Sequence, residues 1–346
     1  MSSFTVEGID LPINTRSDVA PYVPTPGDFL LEGLDKDKAK VVVSAIKENK
    51  SVLITGPTGC GKSAFIRYLA SKTNNGYLRM QLTGSTTTDE FLGRWLINEQ
   101  GTHWQDGIVV HAMRHGLWLV LDELNMALPE ILTVLQPLMD QDNRLILQSK
   151  NNEVVVPHED FRIFATINPW QDYAGTKEMN KALWNRFKRK EKFTYPTPRQ
   201  ELKIIQKHSG LDINLGKTTE RKSFLERIVE VGSDLRKHEE KNKIAYTCST
   251  RQLIDWADSL KYLGIKDAAR CTILNSIEDE TDLGIVKSEI DKQFSEAENK
   301  SLTEMLKKEV SKKELTPIKL DNETLDQETV DASEIPSSTV GPFIVK

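Results

Sequence analysis

The stretch that decides the fold is Gly56-Pro57-Thr58-Gly59-Cys60-Gly61-Lys62-Ser63, which has the G-x-x-x-x-G-K-[ST] spacing of a phosphate-binding loop. The apolar run 51–55 before it predicts a buried parallel strand, and the run 64–70 after it predicts a helix. Glycines let backbone N–H groups close around phosphates at the start of such a helix, where negative charge is stabilised. The stretch therefore predicts a nucleotide site with Lys62 on the β- and γ-phosphates and Ser63 on magnesium.

A second motif is the apolar run 117–121, which ends in the adjacent acids Asp122 and Glu123. Ligands of open α/β sheets bind beyond the carboxyl ends of the strands, so this pair is expected beside the phosphate loop. Asp122 is predicted to hold magnesium together with Ser63. Glu123 is predicted to orient and deprotonate an attacking water, because phosphoryl transfer depends on positioning and charge neutralisation.

A third strand is predicted at 161–166, and Asn168 and Pro169 follow its end. Asn168 is therefore expected beside the nucleotide, where its amide can either orient the water or contact the γ-phosphate. An Asn-Pro pair after a strand is otherwise only a turn signal.

The composition argues against several classes of protein. The 346 residues carry 51 acidic and 46 basic side chains, and the net charge of −5 argues against a broad non-specific grip on nucleic acid. No apolar run reaches the length of a membrane span, and the N-terminus lacks a signal-peptide pattern. The three cysteines (Cys60, Cys248 and Cys271) have neither metal nor disulfide spacing. These features indicate a reducing compartment, and we expect a cytoplasmic protein with no membrane partner.

The remaining pattern predicts the other elements. A helix is expected within 28–50. A hairpin is expected at 98–107, a helix at 128–140, a second hairpin at 144–157, and the last strand at 192–195. His111 and His115 are four residues apart, but no carboxylate has zinc-protease spacing beside them, so a metal site is disfavoured. Helices are expected at 199–209, 222–238, 250–262 and 266–277.

These expectations divide the chain into four parts. Residues 1–27 read as an extended arm, 28–196 as an α/β nucleotide-binding core, and 197–280 as a helical lid. The part 281–346 reads as an amphipathic segment followed by an acidic disordered tail, because between Lys319 and Lys346 there are six acids and no base.

The motifs GPTGCGKS, WQDGIVVHAMRHGLWLVLDELNMALPEILTVLQPLMD, FRIFATINP and ALWNRF resemble those of the MoxR-type and dynein-related branch of the AAA+ ATPases. This branch (AAA_5) includes CobS, CbbQ, gas-vesicle protein N and the modules of midasin. The resemblance runs from about residue 28 to about residue 263. It implies a P-loop core with a five-stranded parallel sheet, an all-α lid, a hairpin inside the second helix and another before the sensor strand. It also implies that the segment 29–34 flanks the adenine, with simple packing as the alternative.

Two arginine roles are implied by the same resemblance. Arg186 matches the arginine finger, which reaches into the nucleotide site of a neighbouring subunit; a surface arginine is the alternative, and Arg189 is close enough to be mistaken for it. Arg251 matches the sensor 2 arginine that contacts the γ-phosphate, and its alternative is a local salt bridge in the first turn of a helix.

The function expected is magnesium-dependent ATP hydrolysis by a homo-oligomeric ring, a hexamer, that remodels or activates a partner protein. By resemblance, such partners often carry a von Willebrand factor A domain. Residues near 98–103 are expected to face the pore of the ring. The alternatives are a CobS-like ATPase subunit of a metal chelatase, a nucleic-acid-directed NTPase motor, which the acidic balance disfavours, and a nucleotide-gated scaffold without turnover.

Overall fold

The central layer is a five-stranded parallel sheet. The computed structural model describes residues 2–27, 29–99, 101–140, 143–169 and 181–295. From one edge of the sheet to the other, the strands are β11 (Arg189–Lys192), β3 (Val52–Thr55), β10 (Arg162–Ile167), β7 (Trp118–Asp122) and β4 (Tyr77–Gln81). Because all five run parallel, the loops that follow β3, β7 and β10 meet at one end of the sheet.

Helices cover both faces of this sheet, as the near-continuous apolar strands require. Those of the core are α1 (Lys36–Lys47), α2 (Lys62–Lys72), α3 (Thr88–Leu92), α4 (Ile108–His115), α5 (Pro129–Thr133), α6 (Gln136–Met139) and α7 (Lys181–Arg186). Helices α1 and α2 share one hydrophobic cluster with the sheet, and α4, α5 and α6 share another. Short 3-10 helices lie at Ala20–Tyr22, Leu31–Gly33, Leu124–Met126 and Leu274–Ser276.

Three antiparallel hairpins are attached to this core: β1 (Ser3–Val6) with β2 (Ile9–Pro12), β5 (Gly93–Asn98) with β6 (Gly101–Asp106), and β8 (Leu145–Leu147) with β9 (Glu153–Val155). The first lies inside the segment that the sequence predicted as an extended arm, where Val6 and Leu11 are buried against the core. The second begins at Gly93 rather than at 98, because α3 ends after five residues.

The helix predicted over 128–140 is broken into α5 and α6. Pro137 lies at the start of α6. Proline lacks an N–H and its ring clashes with the carbonyl four residues earlier, so it begins a new helix instead of continuing the old one.

The last strand lies at 189–192, not at the predicted 192–195. All four residues are charged, and partly buried side chains alternate with exposed ones. The strand therefore lacks the apolar run by which the central strands β3, β7 and β10 were predicted. A charged sequence is tolerated because β11 is an edge strand. Charged side chains on an exposed edge discourage pairing with a strand of another chain.

The C-terminal helices form a second body with its own core. They are α8 (Pro198–Ser209), α9 (Phe224–Glu240), α10 (Thr250–Ser259), α11 (Ile265–Thr272) and α12 (Glu280–Gln293). Val286, Ile290 and Phe294 pack into the same cluster as Trp256, so this core continues past residue 280, where the sequence placed the end of the lid. The part of the predicted amphipathic segment after residue 295 and the acidic tail lie outside the described residues.

The predicted fold class, an α/β P-loop core with a five-stranded parallel sheet and an all-α lid, is confirmed. Among the helices that the structure describes, none is both long and apolar enough to cross a bilayer.

Candidate active site

The phosphate loop joins β3 to α2 and bends back over the start of that helix. Gly59 has φ +69°, and a Cβ added to it would lie 2.8 Å from the Cβ of Ser249 in the lid. Gly56 has φ +153°, and a Cβ there would lie 2.5 Å from the carbonyl oxygen of Phe193. Both positions therefore need glycine, for backbone conformation and for the close approach of neighbouring chain.

Lys62 is the first residue of α2, and its ammonium group points into the loop. The side chain is 8% exposed, and Nζ donates to the carbonyl oxygens of Gly56 at 2.7 Å and Pro57 at 2.8 Å. A third donation goes to Asn168 Oδ1 at 2.8 Å. Burial lowers the pKa of Lys62, because water no longer solvates the cation fully. The loop thus holds a largely desolvated positive charge at its mouth.

Asp122, at the end of β7, accepts hydrogen bonds from three directions. Ser63 Oγ lies 2.8 and 2.9 Å from its two carboxylate oxygens, and the Thr166 hydroxyl donates to Oδ1. Arg79 pairs with Oδ2, with Nε at 2.6 Å. Burial alone would raise the pKa of Asp122, but the hydroxyl donors and the Arg79 charge outweigh it and lower the pKa. The carboxylate is therefore held ionised.

These oxygens fit magnesium. Mg²⁺ takes oxygen ligands and is usually held by one or two carboxylates together with substrate phosphates and water. The Ser63 hydroxyl and the Asp122 carboxylate already lie together beside the loop. Within the described ranges, no group of three His, Cys, Asp or Glu side chains could enclose a metal ion by itself. A magnesium ion held by Ser63 and Asp122 would complete its coordination with nucleotide phosphates and water.

Glu123 has a left-handed backbone, with φ 57° and ψ 46°. Such a conformation is uncommon for a residue other than glycine and is often found at functional sites. Its N–H donates to Thr166 Oγ1 at 3.2 Å. The carboxylate oxygens accept from two amides: Gln81 Nε2 reaches Oε2 at 3.0 Å, and Asn168 Nδ2 reaches Oε1 at 3.3 Å. Asn168 therefore bridges Lys62 and Glu123.

A cavity of about 1940 Å³ opens over this cluster, between core and lid. Arg251, in the first turn of α10, lines it from the lid side, as do Ile204, His208 and Ile254. Phe29, Leu30, Gly33 and Leu34 line it from the segment that the sequence associated with either adenine or packing.

Arg186 lies outside the lining of this cavity. At the end of α7, its Nε bonds Asp140 Oδ1 at 2.9 Å and its Nη1 bonds the Ala182 carbonyl at 3.2 Å. It is not among the residues that line the cavity of its own chain. Arg189 is paired with Glu48 at 2.8 Å.

The two histidines of α4 pack against each other with ring centroids 4.4 Å apart, and His111 Nε2 bonds the Tyr22 hydroxyl at 2.9 Å. These are packing and hydrogen-bonding contacts. The sequence expectation that no metal is held there stays a prediction.

Sequence reasoning missed three polar neighbours of the two acids: Arg79, Gln81 and Thr166. Arg79 and Gln81 are two residues apart at the end of β4, and Gln81 stands opposite Asp122 in the parallel register. Polar residues alternating at the carboxyl end of a strand were the available signal. Thr166 was placed in its strand, but nothing local distinguishes its hydroxyl from any other strand threonine.

Two family models match the chain. The model described as AAA domain (dynein-related subfamily) matches residues 51–187, and the model described as CbbQ/NirQ/NorQ C-terminal matches residues 201–290. The first covers the described cluster around the phosphate loop, and the second covers most of the helical body.

Three curated proteins are similar. Protein CbbQ of Hydrogenophilus thermoluteolus is 33% identical over 234 residues, which are 67% of this chain and 82% of that protein. Aerobic cobaltochelatase subunit CobS of Sinorhizobium sp is 27% identical over 298 residues, 82% of this chain and 87% of CobS. Midasin of Dictyostelium discoideum is 36% identical over 168 residues, 48% of this chain, but the match spans only 3% of midasin.

Proposed function

The chain belongs to the MoxR-like AAA+ ATPases of the dynein-related branch, and from this premise we propose that it hydrolyses ATP with magnesium as a ring that remodels a partner protein. The observation that carries the proposal is the Asn168 side chain, which bonds both Lys62 and Glu123. A phosphate-binding cation and a carboxylate base are thereby held on either side of one amide.

The roles follow from this arrangement. Lys62 and the N–H groups of the loop 56–63 bind the β- and γ-phosphates, and Thr58, Cys60 and the other loop residues shape the cradle. Ser63 and Asp122 hold magnesium, which when bound neutralises charge on the phosphate oxygens. Glu123 orients the attacking water and accepts its proton, and Asn168 fixes the direction of that carboxylate.

Two arginines complete the site in this proposal. Arg251 approaches the γ-phosphate from the lid. Arg186 acts on the nucleotide of a neighbouring subunit, and its position away from the cavity of its own chain supports this. An arginine supplied in trans is worth about 10³-fold or more in rate. Head-to-tail contacts of this kind close into rings, and we propose a hexamer.

Motion of the lid against the core is the proposed output, transmitted to a partner protein that carries a von Willebrand factor A domain. The β5–β6 hairpin is the proposed contact with that partner, because its Ile97 is 84% exposed. Exposed apolar side chains at such a tip can engage a partner without rearrangement of the core.

A second candidate is an ATPase subunit of a metal chelatase. The similarity to aerobic cobaltochelatase subunit CobS, which spans 87% of that protein, favours it. The two candidates share the same site and differ in the partner. Binding of a tetrapyrrole-containing partner complex would favour the chelatase subunit, whereas binding of an isolated von Willebrand factor A domain would favour the remodelling function.

The proposal is tested by measuring ATP hydrolysis against protein concentration for the wild type and Glu123→Gln, with particle mass measured under ATP. We expect the rate per subunit to rise with concentration and the variant to form a stable ATP-bound ring without turnover. A wild-type chain that stays monomeric and inert at high concentration, with and without magnesium, would overturn it.

A further inference from the structure

One tyrosine joins the phosphate loop to the lid. Tyr195 lies in the connection between β11 and α8, and its hydroxyl donates to the carbonyl oxygen of Thr58 at 2.9 Å. Thr58 is one residue before Gly59, whose added Cβ would touch Ser249 of the lid. Loop and lid are thus in direct contact, and Tyr195 is the side chain that bonds across the connection.

The ring of Tyr195 lies against a buried ion pair. The Arg236 guanidinium carbon is 4.0 Å from the ring centroid. The same guanidinium donates to Glu201 through Nη1 at 3.0 Å and Nη2 at 2.7 Å, and to the Cys248 carbonyl through Nε at 2.7 Å. The two side chains are 12% and 1% exposed. A buried bidentate ion pair of this kind fixes the orientation of the guanidinium plane. It therefore also fixes the guanidinium face against which the tyrosine ring packs.

Glu201 continues the connection to the cavity. Its Oε1 also accepts the Thr250 hydroxyl at 2.6 Å. Thr250 is the first residue of α10 and directly precedes Arg251, which lines the nucleotide cavity. A continuous series of contacts therefore links Thr58 to the residue before Arg251 through Tyr195, Arg236 and Glu201. It consists of hydrogen bonds, one ion pair and one contact between the guanidinium and the tyrosine ring.

We propose that Tyr195 is a positioning residue, which sets the placement of Arg251 over the nucleotide according to the state of the phosphate loop. This rests on the proposed role of Arg251 at the nucleotide. The buried pair carries the coupling, because a charge pair removed from water resists reorientation and moves with the helices that bear it.

The test is a double-mutant cycle of Tyr195→Phe and Arg251→Ala, since a cycle isolates the energetic coupling of two residues. Phenylalanine keeps the ring over Arg236 and removes the hydroxyl that bonds Thr58. Tyr262→Phe is the matched control, because Tyr262 belongs to the lid, is 81% exposed and is not among the residues that line the cavity. The dissociation constant of a fluorescent ATP analogue and the turnover rate are measured for each protein.

We expect Tyr195→Phe to weaken analogue binding about fivefold, the equivalent of one net hydrogen bond. In the Arg251→Ala background it should have almost no effect, whereas Tyr262→Phe should have no effect in either background. Equal effects of Tyr195→Phe with and without Arg251 would overturn the inference, as would no effect of Tyr195→Phe on binding in the wild-type background.

Failure of the proposed function gives a different result. The binding cycle needs neither turnover nor a ring, so coupling of Tyr195 to Arg251 can be found in a chain that does not hydrolyse ATP. Conversely, a chain with concentration-dependent hydrolysis and additive variants would keep the proposed function and lose this inference. Thermal unfolding of every variant establishes that the affinities refer to folded protein.

Discussion

The side-chain amide of Gln81 on β4 donates to Glu123 Oε2 at 3.0 Å, across the carboxyl end of the sheet. Glu123 is the proposed catalytic base, and its other oxygen accepts from Asn168. Both carboxylate oxygens are thus occupied by amides. Each oxygen keeps a second acceptor site for the attacking water, but the two amide bonds restrain the carboxylate from turning toward that water.

Replacing Gln81 by alanine should raise basal hydrolysis by up to about fivefold, because one net hydrogen bond of about 1 kcal/mol no longer holds the carboxylate. The rate is measured at saturating ATP. Gln105→Ala is a control, since Gln105 lines the same cavity on β6. A drop in rate for Gln81→Ala with unchanged ATP affinity would show instead that the amide orients Glu123 productively.

Arg79→Met should reduce the magnesium concentration needed for half-maximal nucleotide binding. The guanidinium pairs with Asp122, the proposed magnesium ligand, and competes with the cation for its oxygens. Because the Arg79 side chain is 49% exposed, solvent screening reduces the energy of its pairing with Asp122 to about 1 kcal/mol. This energy corresponds to about a fivefold change in the magnesium concentration.

The measurement for Arg79 is a magnesium titration of fluorescent-nucleotide binding, which does not depend on turnover. Arg67→Met is the matched control: it removes another arginine that lines the cavity, which bonds Thr25 at 3.5 Å and, among the described residues, no acid. An equal shift for both variants would indicate a general loss of positive charge and contradict the specific competition.

Arg186→Ala and Lys62→Ala should each abolish hydrolysis, yet their mixture should recover part of it. In a ring assembled at random from equal amounts, about a quarter of the interfaces combine an intact site with an intact neighbouring arginine. Arg189→Ala should stay active, because its guanidinium pairs with Glu48 on the same chain. A mixture as inactive as its components would argue that Arg186 does not act in trans.

One of the three thiols should react with a disulfide reagent at pH 8 in the native protein. Cys271 is exposed, whereas Cys60 and Cys248 are buried. Burial raises the pKa of Cys60, and it raises that of Cys248 to about 12, so little thiolate forms at either. Cys271→Ser should remove the fast phase. Fast labelling of Cys60 would contradict the packed phosphate loop.

The raised pKa of Cys248 also predicts alkaline sensitivity. A group whose pKa is higher in the folded than in the unfolded state stabilises the fold fully below its unfolded value, and this contribution is lost as pH rises through the folded value. The loss should therefore begin near pH 9, the ordinary thiol value, and continue to about 12. Denaturant unfolding of Cys248→Ala should have a flatter pH dependence in this window.

Much of the fold follows from short sequence patterns. The glycine loop, the strand that ends at Asp122, the strand that Asn168 follows, and four helices of the lid were predicted from local spacing. The broken helix at Pro137 and the charged strand at 189–192 were not predicted. At Pro137 the sequence did contain the signal, because proline disfavours the interior of a helix. The strand assignment failed because an edge strand needs fewer apolar residues than a central one.

The sequence by itself determined which residues are proposed to carry the chemistry, because Lys62, Ser63, Asp122 and Glu123 belong to motifs whose spacing predicts their place beyond the carboxyl ends of the strands. Tertiary structure alone decided which neighbours those residues have. Arg79 meets Asp122, and Gln81 meets Glu123, because β4 lies beside β7 in the sheet. Tyr195 meets Arg236 because the lid folds back on the connection that leads into it. Such contacts join segments far apart in the chain, and local periodicity carries no information about which segments will pack together.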